Sequence, residues 1–155
     1  MKSETFRIGI VVSTFNEEIS NRLLDGASSY LKNSSDFTTD ISVSWVPGAF
    51  EIPFACQEVI DKTNVDAIIA LGSVVKGGTP HFNFVAGECI RGIQAVSLST
   101  KTPISLGVLT TNTYEQALER SDSSSVDHDG SSGDKGTSAA EAAITMIRLV
   151  RSLTD

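Results

Sequence analysis

The stretch AIIALGSVVKGGTPHF, residues 67–82, joins a short apolar run to a polar turn with two adjacent glycines. Residues 67–71 are apolar at every position, which is typical of a strand buried on both faces of a sheet. After the turn, Thr79 predicts a helix N-cap, and Pro80 suits the first helical position. The stretch therefore predicts one strand–turn–helix unit of an α/β fold.

The same alternation continues on both sides of this unit. Apolar runs predict further strands at 8–12, 41–46 and 104–109, and four-residue spacing of apolar side chains predicts helices at 17–32, 82–100 and 139–153. Further helices are expected after Pro53 and, more briefly, after Thr113. Strands that alternate with helices predict a three-layer α/β/α sandwich with a four-stranded parallel sheet. The 155 residues suit one domain, 1–155.

Local signals also predict how the first of these helices begins. Thr14 and Glu17 have the spacing of a capping box, and Asn16 is a competing N-cap.

Composition and charge exclude several classes of protein. The net charge of −7 argues against a general nucleic-acid or anionic-membrane surface, because both need a basic patch. No apolar run approaches the length of a membrane span, and the first residues lack a signal-peptide pattern, so a cytoplasmic protein is expected. Cys56 and Cys89 lie in apolar stretches without a CxxC spacing, which predicts buried thiols and no zinc site.

Residues 121–136 are rich in Ser, Asp and Gly, which predicts a solvated polar loop. Within it, Asp127-His128-Asp129 has side chains that can ligate a metal. We favour an ordinary surface histidine for this triplet and predict no metal site.

The turn after residue 71 favours an anion. Gly72 and Gly77 have the spacing of a P-loop, but Gly78 stands where the lysine belongs, so a nucleoside-triphosphate site is excluded. Free amides and the dipole at the following helix start still favour a phosphate. His81 would lie in the first turn, where it is either a structural residue or a group that transfers protons.

Other polar and aromatic residues follow the remaining strands, where ligands bind in open α/β sheets. Phe15 and Phe50 are either core residues or aromatic covers for a flat ring. Glu51 either compensates a helix dipole or binds substrate hydroxyls. Arg120 and Lys135 are either surface charges or ligands of a phosphate, for which the forked guanidinium is well suited.

Several motifs in the correct order resemble the lumazine synthase family over nearly the whole chain. The matching segments are residues 7–12 with Phe15-Asn16, 46–53, 72–84, 107–111, 115–120 and 135–136. The resemblance implies a flavodoxin-like fold and the penultimate reaction of riboflavin biosynthesis. In that reaction 5-amino-6-(D-ribitylamino)uracil condenses with 3,4-dihydroxy-2-butanone 4-phosphate to give 6,7-dimethyl-8-ribityllumazine, phosphate and water. It also implies that no metal or organic cofactor takes part.

The resemblance assigns roles residue by residue. His81 would move protons, and Arg120 would reach the phosphate beside Gly78 and Thr79. Phe15 would stack on the pyrimidine ring. The full set of substrate contacts that it implies is Phe15, Ala49, Phe50, Glu51, Ser73, Val74, Val75, Gly78, Thr79, Leu106, Arg120 and Lys135.

The chain departs from the family pattern at three places. Thr14 replaces the usual Arg, Leu106 replaces a frequent Phe, and the segment 120–136 is longer than usual. Family sites lie between adjacent subunits, so Arg120 and Lys135 would come from a neighbouring copy. The long loop and short N-terminus predict a homo-oligomer, a pentamer or a pair of pentamers, rather than a sixty-subunit shell.

Two rival functions fit the same fold class. A non-catalytic flavin- or lumazine-binding module would keep Phe15 and the turn at 46–53 but would not need His81. An FMN-dependent electron carrier would need a hydroxyl-rich phosphate loop after the first strand, and residues 13–16 are too short and too apolar for that.

Overall fold

Four parallel strands form the central sheet of the computed structural model, which describes residues 4–124 and 133–154. The strands are β1 (Glu4–Ser13), β2 (Phe37–Val46), β3 (Ala67–Val75) and β4 (Ile104–Thr111). Their order in the sheet is β2-β1-β3-β4, and every neighbouring pair is parallel. The predicted four-stranded parallel sheet is confirmed.

Helices cover both faces of this sheet. They are α1 (Glu17–Asn33), α2 (Ile52–Lys62), α3 (His81–Thr100), α4 (Tyr114–Arg120) and α5 (Lys135–Leu153), with a 3₁₀ turn at Ala49–Glu51 before α2. Helices α1 and α5 pack together against one face, and α2 and α3 pack together against the other. The three-layer α/β/α architecture is therefore also confirmed.

Each face of the sheet has its own apolar core. Ile10 and Ile69 point towards α1 and α5, whereas Val11 and Ile68 point towards α2 and α3, and all four are at most 1% exposed. Strands β1 and β3 are apolar at successive positions because both of their faces are covered. The outer strand β2 alternates instead, because it is only partly covered.

The two cysteines lie in the core beside α2 and α3, as predicted. Burial raises the pKa of Cys56 to about 12, with a further contribution from Cys89. Burial likewise raises the pKa of Cys89 to about 11. Both thiols therefore behave as small apolar side chains at neutral pH.

Helix starts differ from the sequence prediction in two places. The N-cap of α1 is Asn16, and no side chain caps this helix, so the predicted capping box of Thr14 and Glu17 is wrong. Helix α3 begins at His81, one residue before the predicted range 82–100, and Pro80 is in the cap position rather than at the predicted first helical position. The Thr79 hydroxyl still accepts a hydrogen bond from the His81 backbone N–H at 3.4 Å.

The predicted polar loop 121–136 ends earlier than the sequence suggests, because α5 already begins at Lys135. Asp134 is fully buried and caps α5 by accepting a hydrogen bond from the backbone N–H of Gly136. Burial is possible because the carboxylate also accepts a hydrogen bond from the Thr137 hydroxyl at 2.9 Å. The triplet 127–129 lies outside the described residues.

Residues 4–124 and 133–154 lack two features that are typical of other protein classes. No helix in these ranges combines the length and the apolarity that crossing a membrane requires. The same ranges contain no cluster of three or more His, Cys, Asp or Glu residues placed to hold a metal ion.

Candidate active site

An open cleft of about 660 Å³ lies at the carboxyl ends of β1 and β3. The chain leaves β1 towards β2 and later crosses back to β3, so the strand order reverses between these two strands. In open α/β sheets such a switch point is where ligands bind, because the loops leaving the two strands diverge there. The cleft is mostly apolar and has a few polar groups, which suits a small molecule with a flat ring.

The cleft brings together most of the residues singled out from the sequence. They come from the turn after β1, the turn after β2, the end of β3 and the start of α3. The predicted residues that line it are Phe15, Ala49, Phe50, Glu51, Ser73, Val74, Val75, Thr79 and His81. Three regions that are distant in the sequence therefore meet at one place, because the end of β3 and the start of α3 are neighbours along the chain.

Three aromatic side chains of the cleft are largely exposed. Phe15 is 69% exposed, Phe50 65% and Phe84 69%. The alternative that Phe15 and Phe50 are core residues is therefore wrong. Exposed aromatics around a concave site are well placed to stack on a ligand ring or to meet a partner surface.

One face of α3 forms a wall of the cleft. His81, Phe84, Val85 and Glu88 all line it, and their spacing of three and four residues places them on the same side of a helix. The sequence analysis predicted a site role for His81 but not for Phe84, Val85 or Glu88. Helical spacing counted onward from His81 would have found them.

Glu88 gives this wall a second carboxylate in addition to Glu51. Its side chain is paired with Arg91 one turn further along α3. The neighbouring cation leaves this carboxylate partly compensated, so it adds polarity to the wall without a strong net charge.

The glycine turn before α3 is open to solvent. A Cβ atom on Gly77 or Gly78 would meet no heavy atom within 4 Å, and neither glycine has a left-handed backbone. The two glycines therefore leave the backbone of this turn accessible, and they are not needed for a left-handed conformation. Gly77 lines the cleft, whereas Gly78 lies just beyond it.

Three further predicted residues do not line the cleft of their own chain. Leu106 lies on the outer strand β4 and is 48% exposed. Arg120 is exposed at the end of α4 and donates a hydrogen bond to the Gln116 carbonyl oxygen at 3.4 Å. Lys135 is the first residue of α5.

A second groove, of about 850 Å³, lies along α1 and meets α5 at Thr137 and Arg148. Its lining is polar and includes Arg22 and Arg148, which are paired with Glu18 at 3.4 Å and Glu4 at 3.1 Å. It is larger than the cleft, but it contains none of the chemistry that the sequence predicts.

The sheet order and the position of the cleft define a doubly wound α/β protein with an open cleft at its switch point, which is where folds of this class bind small molecules. A family model for 6,7-dimethyl-8-ribityllumazine synthase matches residues 5–151, and the chain belongs to this family. The family consists of transferases of riboflavin biosynthesis.

Proposed function

We propose that this chain condenses 5-amino-6-(D-ribitylamino)uracil with 3,4-dihydroxy-2-butanone 4-phosphate to give 6,7-dimethyl-8-ribityllumazine, phosphate and water. The observation that carries the proposal is the meeting of Phe15, Glu51 and His81 in one cleft of about 660 Å³ at the switch point. These residues provide a ring platform, a hydroxyl acceptor and a proton-transfer group. Membership of the family gives the reaction its substrates.

Each part of the cleft has a role in this reaction. Phe15 stacks on the pyrimidine ring, while Ala49, Phe50 and Glu51 hold the ring and the ribityl hydroxyls. Ser73, Val74 and Val75 line the wall with backbone groups, and Gly78 and Thr79 bind the phosphate beside the start of α3. The two substrates are thereby oriented towards each other, which can contribute roughly 7–11 kcal/mol to catalysis.

His81 moves protons in the covalent steps. The amine of the uracil attacks the ketone carbon, and water leaves as an imine forms. Loss of phosphate then leaves a carbonyl carbon that the ribitylamino nitrogen attacks, and a second water leaves as the ring closes. Each of these steps transfers a proton to or from oxygen or nitrogen, and His81 lies at the cleft beside Thr79. A positioned acid–base group contributes about 10²–10⁴-fold in rate.

We further propose that the site is completed by a neighbouring copy in a pentamer or a pair of pentamers. Leu106, Arg120 and Lys135 lie outside the cleft of their own chain, while three exposed aromatics surround it. A head-to-tail ring would let one copy present these residues to the next and would cover the aromatics at the same time.

The reaction itself is tested by mixing the two substrates with purified protein and following the absorbance of the lumazine product. Product formation in proportion to protein concentration, unchanged by a metal chelator, is the expected result. If folded protein at high concentration binds the lumazine but forms none from the substrates, the chain is a non-catalytic binding module and the proposal fails.

Mixed oligomers test the shared site. Oligomers of His81→Ala alone or of Arg120→Ala alone should be inactive or weak. In a mixed oligomer, a site is complete wherever one chain supplies an intact His81 and its neighbour supplies an intact Arg120. Refolding equal amounts together should restore about one quarter of the wild-type sites if copies associate at random around a ring. Activity that stays at the average of the two variants would place both residues in the same chain's site.

A further inference from the structure

Asn16 has an unusual backbone and an unusual side-chain partner. Its φ of 58° and ψ of 53° are left-handed, and Lys101 is the only other non-glycine residue with positive φ in the described ranges. A left-handed backbone is uncommon outside glycine, although asparagine tolerates it better than most residues. A residue kept in this conformation often serves a local geometric need.

The side chain of Asn16 does not do what its position predicts. An asparagine at an N-cap normally accepts a hydrogen bond from the first turn of its helix, but α1 has no such side-chain bond. The amide nitrogen Nδ2 instead donates to the backbone carbonyl oxygen of Ser73 at 3.0 Å. This bond connects the turn after β1 to the end of β3, and both segments line the cleft.

Two backbone bonds hold the same turn from its other side. The N–H of Thr14 donates to the Val46 carbonyl oxygen at 2.8 Å, and the N–H of Phe15 donates to the Pro47 carbonyl oxygen at 3.1 Å. Phe15 is thus tied directly to the turn after β2. Among the hydrogen bonds of residues 4–124 and 133–154, the amide of Asn16 alone ties the turn to β3 through a side chain, so this is the bond that a substitution can remove.

The bond lies where water weakens it little. Ser73 is 2% exposed, and Asn16 is half-buried. Phe15, by contrast, is largely exposed and has little side-chain packing of its own to orient it. Its direction therefore depends on the backbone of the turn.

We propose that Asn16 is a positioning residue that fixes the ring of Phe15 relative to the backbone at Ser73. Asparagine satisfies both requirements, because it tolerates the left-handed backbone and carries a donor. Glycine meets only the first requirement, and aspartate offers an acceptor where a donor is needed. The identity of the ligand in the tests rests on the proposed function, but the geometry of Phe15 does not.

The first test compares Asn16→Gly, Asn16→Ala and Asn16→Asp by titrating 6,7-dimethyl-8-ribityllumazine and by thermal unfolding. Loss of one partly buried hydrogen bond should weaken binding by roughly 3- to 10-fold in the glycine variant, with little change in unfolding temperature. The alanine variant should lose a similar amount of affinity but unfold at a lower temperature, because its backbone is strained. The aspartate variant should bind more weakly than glycine.

Lys101→Gly is the matched control, because Lys101 has the same left-handed backbone at the far end of α3. It should bind the lumazine as the wild type does. Wild-type affinity in Asn16→Gly, or an affinity loss that follows only the unfolding temperature across the three variants, would overturn the proposal.

A double-mutant cycle with Phe15→Ala tests whether Asn16 acts through the ring. In the Phe15→Ala background, Asn16→Gly should have almost no further effect on affinity. A full additional loss there would show that Asn16 acts on the ligand by another route and would overturn the positioning role.

A ligand-free measurement separates this inference from the proposed function. Crystal structures of the unliganded wild type and Asn16→Gly should show the Phe15 ring displaced or less ordered in the variant. An unmoved, equally ordered ring would overturn the inference whatever the chain binds, whereas failure of the wild type to form product would count only against the proposed function.

Discussion

His81 lies in the first turn of α3, with an exposed side chain that lines the cleft and a backbone N–H bonded to Thr79. The bond to Thr79 uses only the backbone of His81, so the imidazole is not needed to start the helix. A substitution there can therefore separate chemistry from folding.

We expect His81→Ala to lower turnover by about 10²–10⁴-fold while the affinity for a substrate analogue changes little, because proton transfer is lost and the cleft remains. Steady-state kinetics and analogue titration measure the two quantities. Asn83→Ala, an exposed neighbour on the same helix outside the cleft lining, is the control. Collapse of analogue binding with turnover of the bound substrate preserved would make His81 a structural residue.

Asp134 is a residue whose ionisation opposes folding. Burial is the main cause that raises the pKa of this carboxyl above its ordinary value, against opposing hydrogen bonds from Thr137 and Gly136. The folded state therefore holds the proton more tightly than the unfolded state. The contribution of Asp134 to the stability of the fold is lost as the pH rises from the ordinary pKa of the carboxyl through its raised pKa.

Asp134→Asn keeps a capping side chain but removes this titration. Its thermal unfolding temperature relative to the wild type should rise as the pH is raised from about 4 to neutral. Hydrogen bonds from Ser124 lower the pKa of Asp122, so its ionisation affects stability only below about pH 4, and Asp122→Asn should run parallel to the wild type over the same range. Parallel pH profiles for Asp134→Asn and the wild type would contradict the prediction.

At the scale of elements, α1 and α5 approach each other closely at two glycines. A Cβ on Gly136 would overlap the Leu23 carbonyl oxygen of α1, and a Cβ on Gly26 would overlap the Asp134 carboxylate before α5. Both helices also pack on the same face of the sheet. The start of α5 is therefore set by backbone contact, which no flexible side chain can relieve.

Gly136→Ala should destabilise the fold by about 1–3 kcal/mol, since the backbone of α1 must move to admit the methyl group. Gly87→Ala in α3 is the matched control, because a Cβ there meets nothing within 4 Å. It should stabilise by roughly 0.5–1 kcal/mol through helix propensity. Urea unfolding measures both, and equal effects would mean that the contact with Leu23 is not tight.

At the scale of the whole molecule, the chain leaves aromatic and aliphatic side chains uncovered around its cleft and on its outer elements. Phe54, Leu98 and Leu153 are each exposed by 69% or more, in addition to the cleft aromatics. Large apolar side chains left exposed in this way favour association, in keeping with the family's oligomers.

Multi-angle light scattering should give a mass of five times the 16.5 kDa chain, or twice that for paired pentamers. The long segment between Arg120 and α5 is the basis for expecting a small ring. A mass near that of sixty chains would contradict this prediction, and a monomer would contradict the shared site.

The sequence by itself determined the strands, the helices, the parallel sheet and most of the cleft, because apolar periodicity and turn residues act over a few neighbouring positions. Only the tertiary structure decided that Asn16 bonds to Ser73 and that Asp134 is buried. These features depend on segments that are far apart along the chain. Such side chains can contact each other only after folding has brought those segments together, so no local sequence pattern predicts the contact.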